Sequence, residues 1–344
     1  MTAATMRSIQ FGGASGATRI AELPVPVPGP REILVAVERC GICASDVHMT
    51  EANESHFTYA EGSAFGHEFA GVVAGVGPGI QGFAIGQRVV GFPFIGCGNC
   101  PLCSAGKEMF CPGGRGASGA LADYAIAGAA GSQPLGDNVD FERGALVEPL
   151  AVGVHGVRRA GLTPDSRVLV IGAGPVGLAV AHGAITAGVG AVAVAVRSEW
   201  RAELVREMGA MPVHVDGPTG LDIMPDALAG KPDIVFECVG APGMLMSAID
   251  QVAIEGTVMS MGFGTARDHV LPAIASAKAV TVRFAMAYDI ADFREAVRIM
   301  ATDDSPFRRI VTRRIALEDA PGAIEELRTG VAQQCKVMVD LGAR

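Results

Sequence analysis

The sequence predicts an α/β protein of two domains, one of them built on a doubly wound parallel sheet. Its 344 residues exceed the roughly 150 that a single domain usually takes. Hydrophobic residues make up 49% of the chain and glycines number 46, a composition typical of buried parallel strands joined by tight turns. The segment RVLVIGAGPVGLAVAHGAITAGVGAVAVAV (167–196) has the order strand, turn, helix, strand.

The turn in this segment carries the pattern G-x-G-x-x-G. Gly172 allows the tight turn, Gly174 lets a pyrophosphate approach the backbone, and Gly177 lets the helix lie close to the strand. Pro175 suits the first helical turn, and with Val176 it begins a helix whose unpaired N–H groups face the phosphates. Because the pattern follows a strand and opens a helix, it predicts a dinucleotide site.

Charge and hydropathy exclude two classes of partner. The net charge of −9 leaves no basic surplus for a nucleic-acid backbone. Residues 168–196 lack charged side chains over the length of a bilayer span, but glycines, Pro175 and His182 interrupt the run, so we expect no membrane span. The N-terminal stretch MTAATMRSIQFGGASG lacks the long apolar segment of a signal peptide, so we expect a cytoplasmic protein.

A cysteine cluster, CGNCPLCSAGKEMFC (97–111), holds half of the chain's 8 cysteines. In a reducing compartment, clustered cysteines bind metal more often than they form disulfides. Four thiolates spaced C-x2-C-x2-C-x7-C fill a tetrahedral shell, so the predicted zinc site is structural and admits no substrate. The alternative is a set of free or oxidised thiols. The predicted ligands are Cys97, Cys100, Cys103 and Cys111.

Two further motifs supply the ligand types of an open metal site. CGICASDVH (40–48) offers a thiolate, and FGHEFAGVVAGVGPGI (65–80) offers an imidazole and a carboxylate. A catalytic zinc site uses such a mixed set and keeps one position for substrate. Each motif alone is only suggestive, because a lone cysteine or histidine is more often part of a core.

These motifs resemble those of the zinc-dependent medium-chain dehydrogenases, the superfamily of alcohol and polyol dehydrogenases. Residues 66–80 fit the family's zinc pattern, G-H-E-x2-G-x5-[GA]-x2-[IVSAC], at each fixed position. AIGQRVV (84–90) and CKVMVDL (335–341) also match in the expected order, and the cysteine cluster matches the family's structural zinc loop. The resemblance implies a GroES-like, mostly β catalytic domain over 1–151 and 289–344, and a Rossmann nicotinamide-binding domain over 152–288.

The resemblance also implies the ligands of the open site. Cys43 is the implied thiolate ligand because it directly precedes x-Ser-Asp, and His67 is the implied imidazole ligand. Glu68 is implied either as a direct ligand or as a carboxylate that exchanges with water. Where classical alcohol dehydrogenases have a cysteine, this chain has Glu148, as in members resembling sorbitol, butanediol and threonine dehydrogenases. We expect Glu148 to coordinate zinc or to hold its water; the alternative is a carboxylate that stabilises a helix N-terminus.

Two residues that follow the thiolate ligand match the family's proton path. A bound zinc lowers the pKa of an alcohol, Ser45 accepts the proton, and His48 releases it to solvent after passage through the cofactor ribose. Histidine suits this exit because its pKa lies near neutral. The alternatives are a turn-forming serine and a solvated histidine. Cys40 and Asp46 are expected to have structural roles.

The end of the strand at 191–196 bears on the choice of cofactor. An NAD enzyme usually has Asp or Glu there to hold the adenosine ribose, but the family register places Val196 at this position. Arg197 and Ser198 follow and suit a 2′-phosphate, so we expect NADP rather than NAD. Glu199 would reverse that preference if it turned back to the ribose, and Arg201 stands where NAD-using relatives also have arginine.

Two later strands end in glycine turns, in PDIVFECVGAPG (232–243) and EGTVMSMGFG (255–264). Ligands lie at such strand ends in this fold. The residues expected near the nicotinamide are Val239, Gly240, Gly262 and Phe263. The pocket walls expected from family topology are Phe57, Tyr59, Phe92, Phe94 and Leu121.

The implied function is zinc-dependent interconversion of a secondary alcohol or polyol and its ketone, with hydride transfer to or from NAD or NADP. A homo-oligomer, tetramer or dimer, is implied as well, with a small molecule as substrate. Three alternatives stay open. They are a threonine-type amino-alcohol dehydrogenase, a zinc-free quinone or enone reductase of the same superfamily, and a nicotinamide-binding sensor or structural protein without catalysis.

Overall fold

The chain forms two compact units in the computed structural model, which describes residues 4–13, 17–51, 57–117, 119–216, 228–302, 305–330 and 333–342. Within these ranges the first unit takes its residues from 1–52, 56–148 and 288–344, and the second unit takes them from 149–287. The first unit is therefore assembled from segments on both sides of the second.

Strands occur in both units. The N-terminal strands are β1 (Thr5–Phe11), β2 (Thr18–Pro24), β3 (Glu32–Ile42), β4 (Glu68–Val76), β5 (Arg88–Val90), β6 (Phe94–Ile95), β7 (Arg115–Gly116), β8 (Tyr124–Gly128) and β9 (Gln133–Pro134). The later strands are β10 (Arg167–Ile171), β11 (Ala191–Val196), β12 (Met211–His214), β13 (Ile234–Glu237), β14 (Thr257–Ser260), β15 (Thr281–Phe284), β16 (Val311–Ala316) and β17 (Lys336–Asp340).

Helices separate many of these strands. They are α1 (Ala44–His48), α2 (Pro101–Ser104), α3 (Phe141–Ala145), α4 (Val147–Ala160), α5 (Pro175–Thr186), α6 (Glu199–Glu207), α7 (Met244–Gln251), α8 (Pro272–Ala277), α9 (Ile290–Met300) and α10 (Ala320–Thr329). Short 3-10 helices cover Glu108–Phe110, Pro306–Ile310 and Leu317–Asp319. Among the described residues, no helix has both the length and the apolar character that a membrane crossing requires.

The main sheet of the first unit has the strand order β16-β17-β3-β4-β5-β9, with β8 also paired to β3. β4 runs antiparallel to β3 with Glu68 opposite Gly41. β17 runs antiparallel along the other side of β3, with Met338 opposite the same glycine. This register brings Lys336, the first residue of β17, and Glu68, the first residue of β4, to the same end of the sheet.

The core of the first unit is formed by apolar side chains of this sheet and of the segments that cover it. Burying one such side chain contributes about 1.5–3 kcal/mol. Members of the core with no exposed surface are Ile9, Ile33, Val35, Val37, Phe65, Phe69, Leu121 and Val339. This solvent-excluded core therefore supports the ends of β3, β4 and β17.

The sheet of the second unit is parallel, with the order β12-β11-β10-β13-β14-β15. The chain moves outward from β10 to β12 and then returns beside β10 to continue outward through β15. The core contains Leu169, Val235 and Val258, one from each of three adjacent strands. The predicted doubly wound sheet is therefore confirmed, and the predicted strand, turn, helix and strand of 167–196 are β10, a glycine turn, α5 and β11.

The glycine turn between β10 and α5 depends on two close approaches. Gly172 has a φ of +104°, a left-handed conformation that glycine adopts without strain. A Cβ on Gly177 would fall inside the van der Waals radius of the Gly172 carbonyl oxygen. Gly174 caps the helix and Pro175 occupies its first turn. The helix N-terminus is thereby fixed against the end of β10.

We predict that Gly177→Ala lowers the urea concentration at the unfolding midpoint. The added methyl group would overlap the Gly172 carbonyl, and overpacking of this kind costs about 1–3 kcal/mol. Gly174→Ala is the matched control, because a Cβ there meets no atom within 4 Å. Circular dichroism during urea titration measures both variants. Equal midpoints for the two variants would contradict the close packing of α5 on β10.

Candidate metal centres and cofactor site

Cys43 lies between the end of β3 and the start of α1, where it is the N-cap residue. Its backbone N–H donates to Oδ2 of Asp46 over 3.2 Å. The hydroxyl of Ser45 donates to the Cys43 sulfur over 3.2 Å. Because a donated hydrogen bond stabilises a thiolate, Ser45 supports the metal-binding form of Cys43.

His67 is oriented by a buried carboxylate. Its Nδ1 lies 3.4 Å from Oδ1 of Asp46, and Tyr59 donates its hydroxyl to the same oxygen over 3.0 Å. Burial lowers the pKa of His67, but Asp46 and Cys43 raise it well above its ordinary value. A carboxylate on Nδ1 leaves Nε2 for a metal, which is how the rings of metal-bound histidines are usually fixed. Asp46 therefore does more than brace its own loop.

Glu68 and Lys336 form an ion pair inside the first unit, and each side chain is 1% exposed. Nζ of Lys336 donates to Oε1 over 2.6 Å and to Oε2 over 2.7 Å, and it also donates to the Ile42 carbonyl over 3.1 Å. Burial lowers the pKa of Lys336, but Glu68 and Cys43 raise it above its ordinary value. The ammonium group is therefore charged at neutral pH.

Cys43, His67 and Glu68 together form the first candidate metal centre. Each offers a ligand atom, and these atoms lie within 4.8 Å of one another. One zinc ion with bonds of about 2.0–2.3 Å can bridge donors at such separations. A thiolate, an imidazole and a carboxylate leave one tetrahedral position open. The donor set therefore fits a catalytic zinc rather than a closed structural one.

Glu148 lies in the first turn of α4 and is 5% exposed, but it is not a member of this group of three. Burial raises its pKa to about 7, with His67 opposing and Glu68 adding to the rise. Glu148 is therefore coupled electrostatically to His67 and Glu68. Tyr288 is fully buried next to it, and burial followed by the Glu148 carboxylate raises the pKa of Tyr288 well above its ordinary value.

The cysteine cluster forms the second candidate metal centre. The four sulfur atoms lie within 4.8 Å of one another, and those of Cys100 and Cys111 are 3.8 Å apart. A tetrahedral zinc with Zn–S bonds of about 2.3 Å separates its sulfurs by about 3.8 Å. The backbone N–H groups of Cys97 and Cys103 donate to the sulfurs of Cys111 and Cys100 over 3.2 and 3.4 Å. The donors fit a closed structural site.

Two charged side chains hold this cluster in place. Arg31 donates from Nε to the Gly96 carbonyl over 2.8 Å and forms an ion pair of 2.7 Å with Glu108. The other oxygen of Glu108 accepts from the Gly96 N–H over 2.7 Å, and Glu108 is 4% exposed. The residue that precedes the first cysteine is therefore fixed on both its backbone groups.

The adenosine end of the predicted cofactor site lies at the start of α6. The Glu199 carboxylate is engaged by Arg206 over 2.7 Å and by Nε2 of His214 over 3.0 Å. Arg197 is exposed, and the Ser198 side chain makes no capping hydrogen bond to α6. The carboxylate that would favour NAD is therefore occupied by other partners, whereas the residues suited to a 2′-phosphate are accessible.

Arg201 joins α6 to the glycine turn. It donates to the Ala173 carbonyl over 2.6 Å, and its guanidinium group stacks 4.3 Å from the ring centre of Trp200. Trp200 is the single tryptophan of the chain. Its fluorescence therefore reports on events at this turn without interference from another indole.

The expected nicotinamide residues lie on two turns that both hydrogen-bond to Glu237, one to its side chain and one to its backbone carbonyl. Oε1 of Glu237 accepts from the N–H groups of Val239 and Gly240 over 2.7 and 2.8 Å. The Glu237 carbonyl accepts from the Gly262 N–H over 3.0 Å. A Cβ on Gly262 would overlap the Gly240 backbone, so these turns touch directly. The Phe263 side chain is partly exposed on the same turn.

The remaining expected site residues divide into exposed and buried ones. His48 is 42% exposed, with Nδ1 3.9 Å from the Glu51 carboxylate, a position suited to proton release. The expectation that Phe92 and Leu121 line a pocket is wrong, because both have no exposed surface and belong to cores. Tyr59 is committed to Asp46, as described above.

Sequence analysis did not identify Lys336, Glu237 or Glu108 as site residues. Lys336 is the one charged side chain between Cys335 and Asp340 in an otherwise apolar strand, and that contrast was the available signal. Glu237 is also an isolated charge in a largely apolar segment, whereas Glu108 directly follows Lys107. A buried charge needs a partner. The partner of Lys336 is 268 residues away in sequence and the partner of Glu108 is 77 residues away, so sequence spacing does not locate either one.

Comparison with known proteins places two family models on the chain. The model described as "Alcohol dehydrogenase GroES-like domain" matches residues 29–137. The model described as "Zinc-binding dehydrogenase" matches residues 175–302. The first match lies within the first unit, and the second lies mostly in the second unit and extends into the first unit beyond residue 287.

Whole-chain relatives agree with these models. The sorbitol dehydrogenase of Macaca fascicularis is 31% identical over 335 residues, which is 94% of each chain. A Sinorhizobium meliloti protein with bound NADP is 28% identical, with a TM-score of 0.85 over 98% of this chain and 99% of its own. A short chain alcohol dehydrogenase from Escherichia coli CFT073, complexed with NADH, is 25% identical with a TM-score of 0.85 and the same coverage.

Proposed function

The chain belongs to the zinc-binding alcohol dehydrogenase family, and from this premise we propose that it interconverts a secondary alcohol or polyol and its ketone. The observation that carries the proposal is the group of Cys43, His67 and Glu68, whose ligand atoms lie within 4.8 Å of one another. The donors leave a coordination position for substrate. The second, closed set of four cysteines holds a structural zinc.

In this proposal the zinc ion and the nicotinamide supply the chemistry typical of such groups. A zinc ion acts as a Lewis acid on the alcohol oxygen, and a nicotinamide accepts or supplies the hydride. The residues of the chain bind these groups and move the proton. Cys43 and His67 would hold the metal together with one carboxylate, either Glu68 or Glu148, so that one position stays open for substrate. Ser45, beside the Cys43 sulfur, takes the proton from the alcohol, and His48 releases it to solvent from its half-exposed position.

The two units have different roles in this proposal. The first unit, close to the expected 1–151 and 289–344, holds both zinc ions. The second unit, close to the expected 152–288, holds the nicotinamide cofactor. Its glycine turn binds the pyrophosphate at the N-terminus of α5 through Gly172, Gly174 and Gly177, with Pro175 and Val176 in the first helical turn. Val239, Gly240, Gly262 and Phe263 border the nicotinamide.

NADP is the proposed cofactor. Solved neighbours include one with NADP and one with NADH, so the choice depends on this chain's own residues. Arg197 and Ser198 are accessible at the end of β11, where Val196 offers no carboxylate to repel a 2′-phosphate. The pairing of Glu199 with Arg206 and His214 supports the same preference.

A polyol is the proposed substrate class, because sorbitol dehydrogenases are among the chain's relatives, one of them with 31% identity over 94% of its length. Glu148 supports this branch, since it supplies a carboxylate where classical alcohol dehydrogenases have a cysteine. The relatives and the zinc donors give less support to a threonine substrate, a zinc-free reductase or a non-catalytic sensor.

A homo-oligomer in the cytoplasm is also proposed. β15 is an edge strand, and Phe284 on it is 68% exposed, with Leu271 nearby in sequence 58% exposed. Unpaired edges with exposed apolar side chains are ready places for a second copy. None of the 8 cysteines forms a disulfide, which suits a reducing compartment. Light scattering should give the mass of a dimer or tetramer, and a monomer would contradict the proposal.

We predict that the zinc-loaded protein reduces a nicotinamide cofactor with a polyol substrate. The assay uses sorbitol, 2,3-butanediol and threonine, each with NAD and with NADP, followed by absorbance of the reduced cofactor. Elemental analysis should find two zinc ions per chain. Cys43→Ser should lose one zinc and all turnover, because the open site loses its thiolate. Cys103→Ser should lose the other zinc.

Cys238→Ser is the control for these substitutions, because Cys238 belongs to neither metal centre and should leave both zinc ions in place. Zinc and cofactor bound to the native protein without turnover on alcohols, or on the ketones in the reverse direction, would favour a non-catalytic role. Turnover with threonine alone would replace the polyol assignment.

We predict that Arg197→Ala weakens NADPH binding by about tenfold or more, because a hydrogen bond to a charged group contributes about 1.5–3 kcal/mol. NADH binding should change little. Quenching of Trp200 fluorescence measures both affinities. Arg159→Ala removes another exposed arginine of the second unit and should alter neither. Tighter binding of NADH than NADPH by the native protein would show that the NADP assignment is wrong.

A further inference from the structure

Arg31 occupies an unfavourable backbone position directly before β3. Its φ is +70°, in the left-handed region that glycine adopts freely and that costs other residues conformational energy. The Glu32 N–H closes the turn by donating to the Gly29 carbonyl over 3.2 Å, and the Gly29 N–H donates to the Glu32 carboxylate over 2.9 Å. An arginine at this position indicates that its side chain has a role that glycine could not fill.

The guanidinium group places all three of its nitrogens against the segments that carry the cysteine cluster. Nε donates to the Gly96 carbonyl over 2.8 Å, and Nη2 forms the ion pair of 2.7 Å with Glu108. Nη1 fills the space that a Cβ on Gly98 would occupy, since the two atoms would be 1.9 Å apart. The side chains of Arg31 and Glu108 are 34% and 3% exposed, so this pair is better shielded from solvent than a surface ion pair.

These contacts reach both ends of the cluster. Gly96 directly precedes Cys97, the first of the four cysteines. Glu108 begins the short 3-10 helix that Cys111, the last cysteine, caps at its end. The Glu108 carbonyl accepts from the Cys111 N–H over 3.1 Å, and its carboxylate accepts from the Gly96 N–H over 2.7 Å. Arg31 therefore joins the two segments that hold the first and last ligands of the proposed structural zinc.

The positive charge of Arg31 also suits this place. A zinc ion bound by four thiolates is a net anion, and the buried Glu108 carboxylate adds another negative charge to the same lobe. Buried charges of one sign are destabilising unless a cation compensates them. Arg31 supplies that cation, because its guanidinium group lies against Gly98 and Glu108.

We propose that Arg31 is a positioning residue of the cluster zinc, which fixes Cys97 and Cys111 relative to each other and thereby slows release of the metal. The inference rests on the structural zinc of the proposed function. Arg31 is not a metal ligand, and it acts through Gly96 and Glu108. The left-handed backbone of Arg31 is then tolerated because its side chain is needed at the cluster.

An ion pair that only stabilised the fold would give a different result. Its loss would lower the free energy of unfolding, but the zinc affinity of the folded protein would stay the same. Loss of a residue that orients metal ligands usually weakens metal binding by about 10–100-fold. Zinc affinity measured on the folded protein therefore separates the two roles.

The test compares full-length Arg31→Gly with the native protein, because glycine adopts the same backbone conformation without strain. Zinc affinity is measured by competition with a chromophoric chelator, and Cys103→Ser, which should lack the cluster zinc, identifies the signal from that site. We expect the affinity of the cluster to fall by about tenfold or more, with faster release of zinc. Circular dichroism should show that the variant keeps the native fold.

Arg115→Ala is the matched control. Arg115 follows the cluster and pairs with Glu32 of the same turn, but its side chain is 54% exposed, and exposed ion pairs contribute little. Its zinc affinity should stay near the native value. The double variant Arg31→Gly/Glu108→Gln leaves no unpaired carboxylate, so it keeps the test informative if Arg31→Gly fails to fold. Its affinity should also lie below the native value, because the orientation of the ligands is lost.

Native zinc affinity in folded Arg31→Gly, or an equal loss in Arg115→Ala, would overturn the proposal. A native protein that binds no zinc at the cluster would instead refute the structural zinc of the proposed function, and with it the premise of this inference.

Discussion

Buried charge is the constraint on which the first unit depends. Asp46, Glu68, Glu148 and Lys336 each have 5% exposure or less. An isolated ion in such an interior would be strongly destabilising, and removing one partner of a buried pair typically costs about 3–5 kcal/mol. Hydrogen bonds and ion pairs compensate the buried charges of Asp46 and of the Glu68–Lys336 pair. Buried carboxylates would destabilise a core without counter-ions, and the same carboxylates are suitable ligands for a divalent cation.

Close backbone approach is the corresponding constraint in the second unit. The Gly172–Gly177 contact and the Gly240–Gly262 contact leave no room for side chains, and both lie at the carboxyl ends of adjacent parallel strands. Backbone N–H groups are thereby presented at one edge of the sheet, where a phosphate or an amide can meet them. Glu237 uses two of these N–H groups, so the turn after β13 is held in shape before any cofactor binds.

How far the site could be predicted depended on sequence separation. The cysteine cluster and the glycine turn were predictable because their parts lie within a few residues of each other, and spacing alone limits what they can bind. The doubly wound sheet followed from the apolar strands around that turn. The Glu68–Lys336 pair was not predictable in this way, since two different strand registers set it. Phe92 and Leu121 failed as pocket residues because hydrophobic character does not distinguish a wall from a core.

The central place of β17 has a consequence for the order in which the protein matures. β17 lies between β16 and β3, so the sheet of the first unit lacks an inner strand until residues 336–340 have left the ribosome. The second unit is nearly continuous in sequence and can fold earlier during synthesis, as domains generally do. Lys336 arrives with β17, so Glu68 meets its counter-ion only after the residues of the second unit have been synthesised. The four cysteines of the cluster, by contrast, are all present once residue 111 has been synthesised.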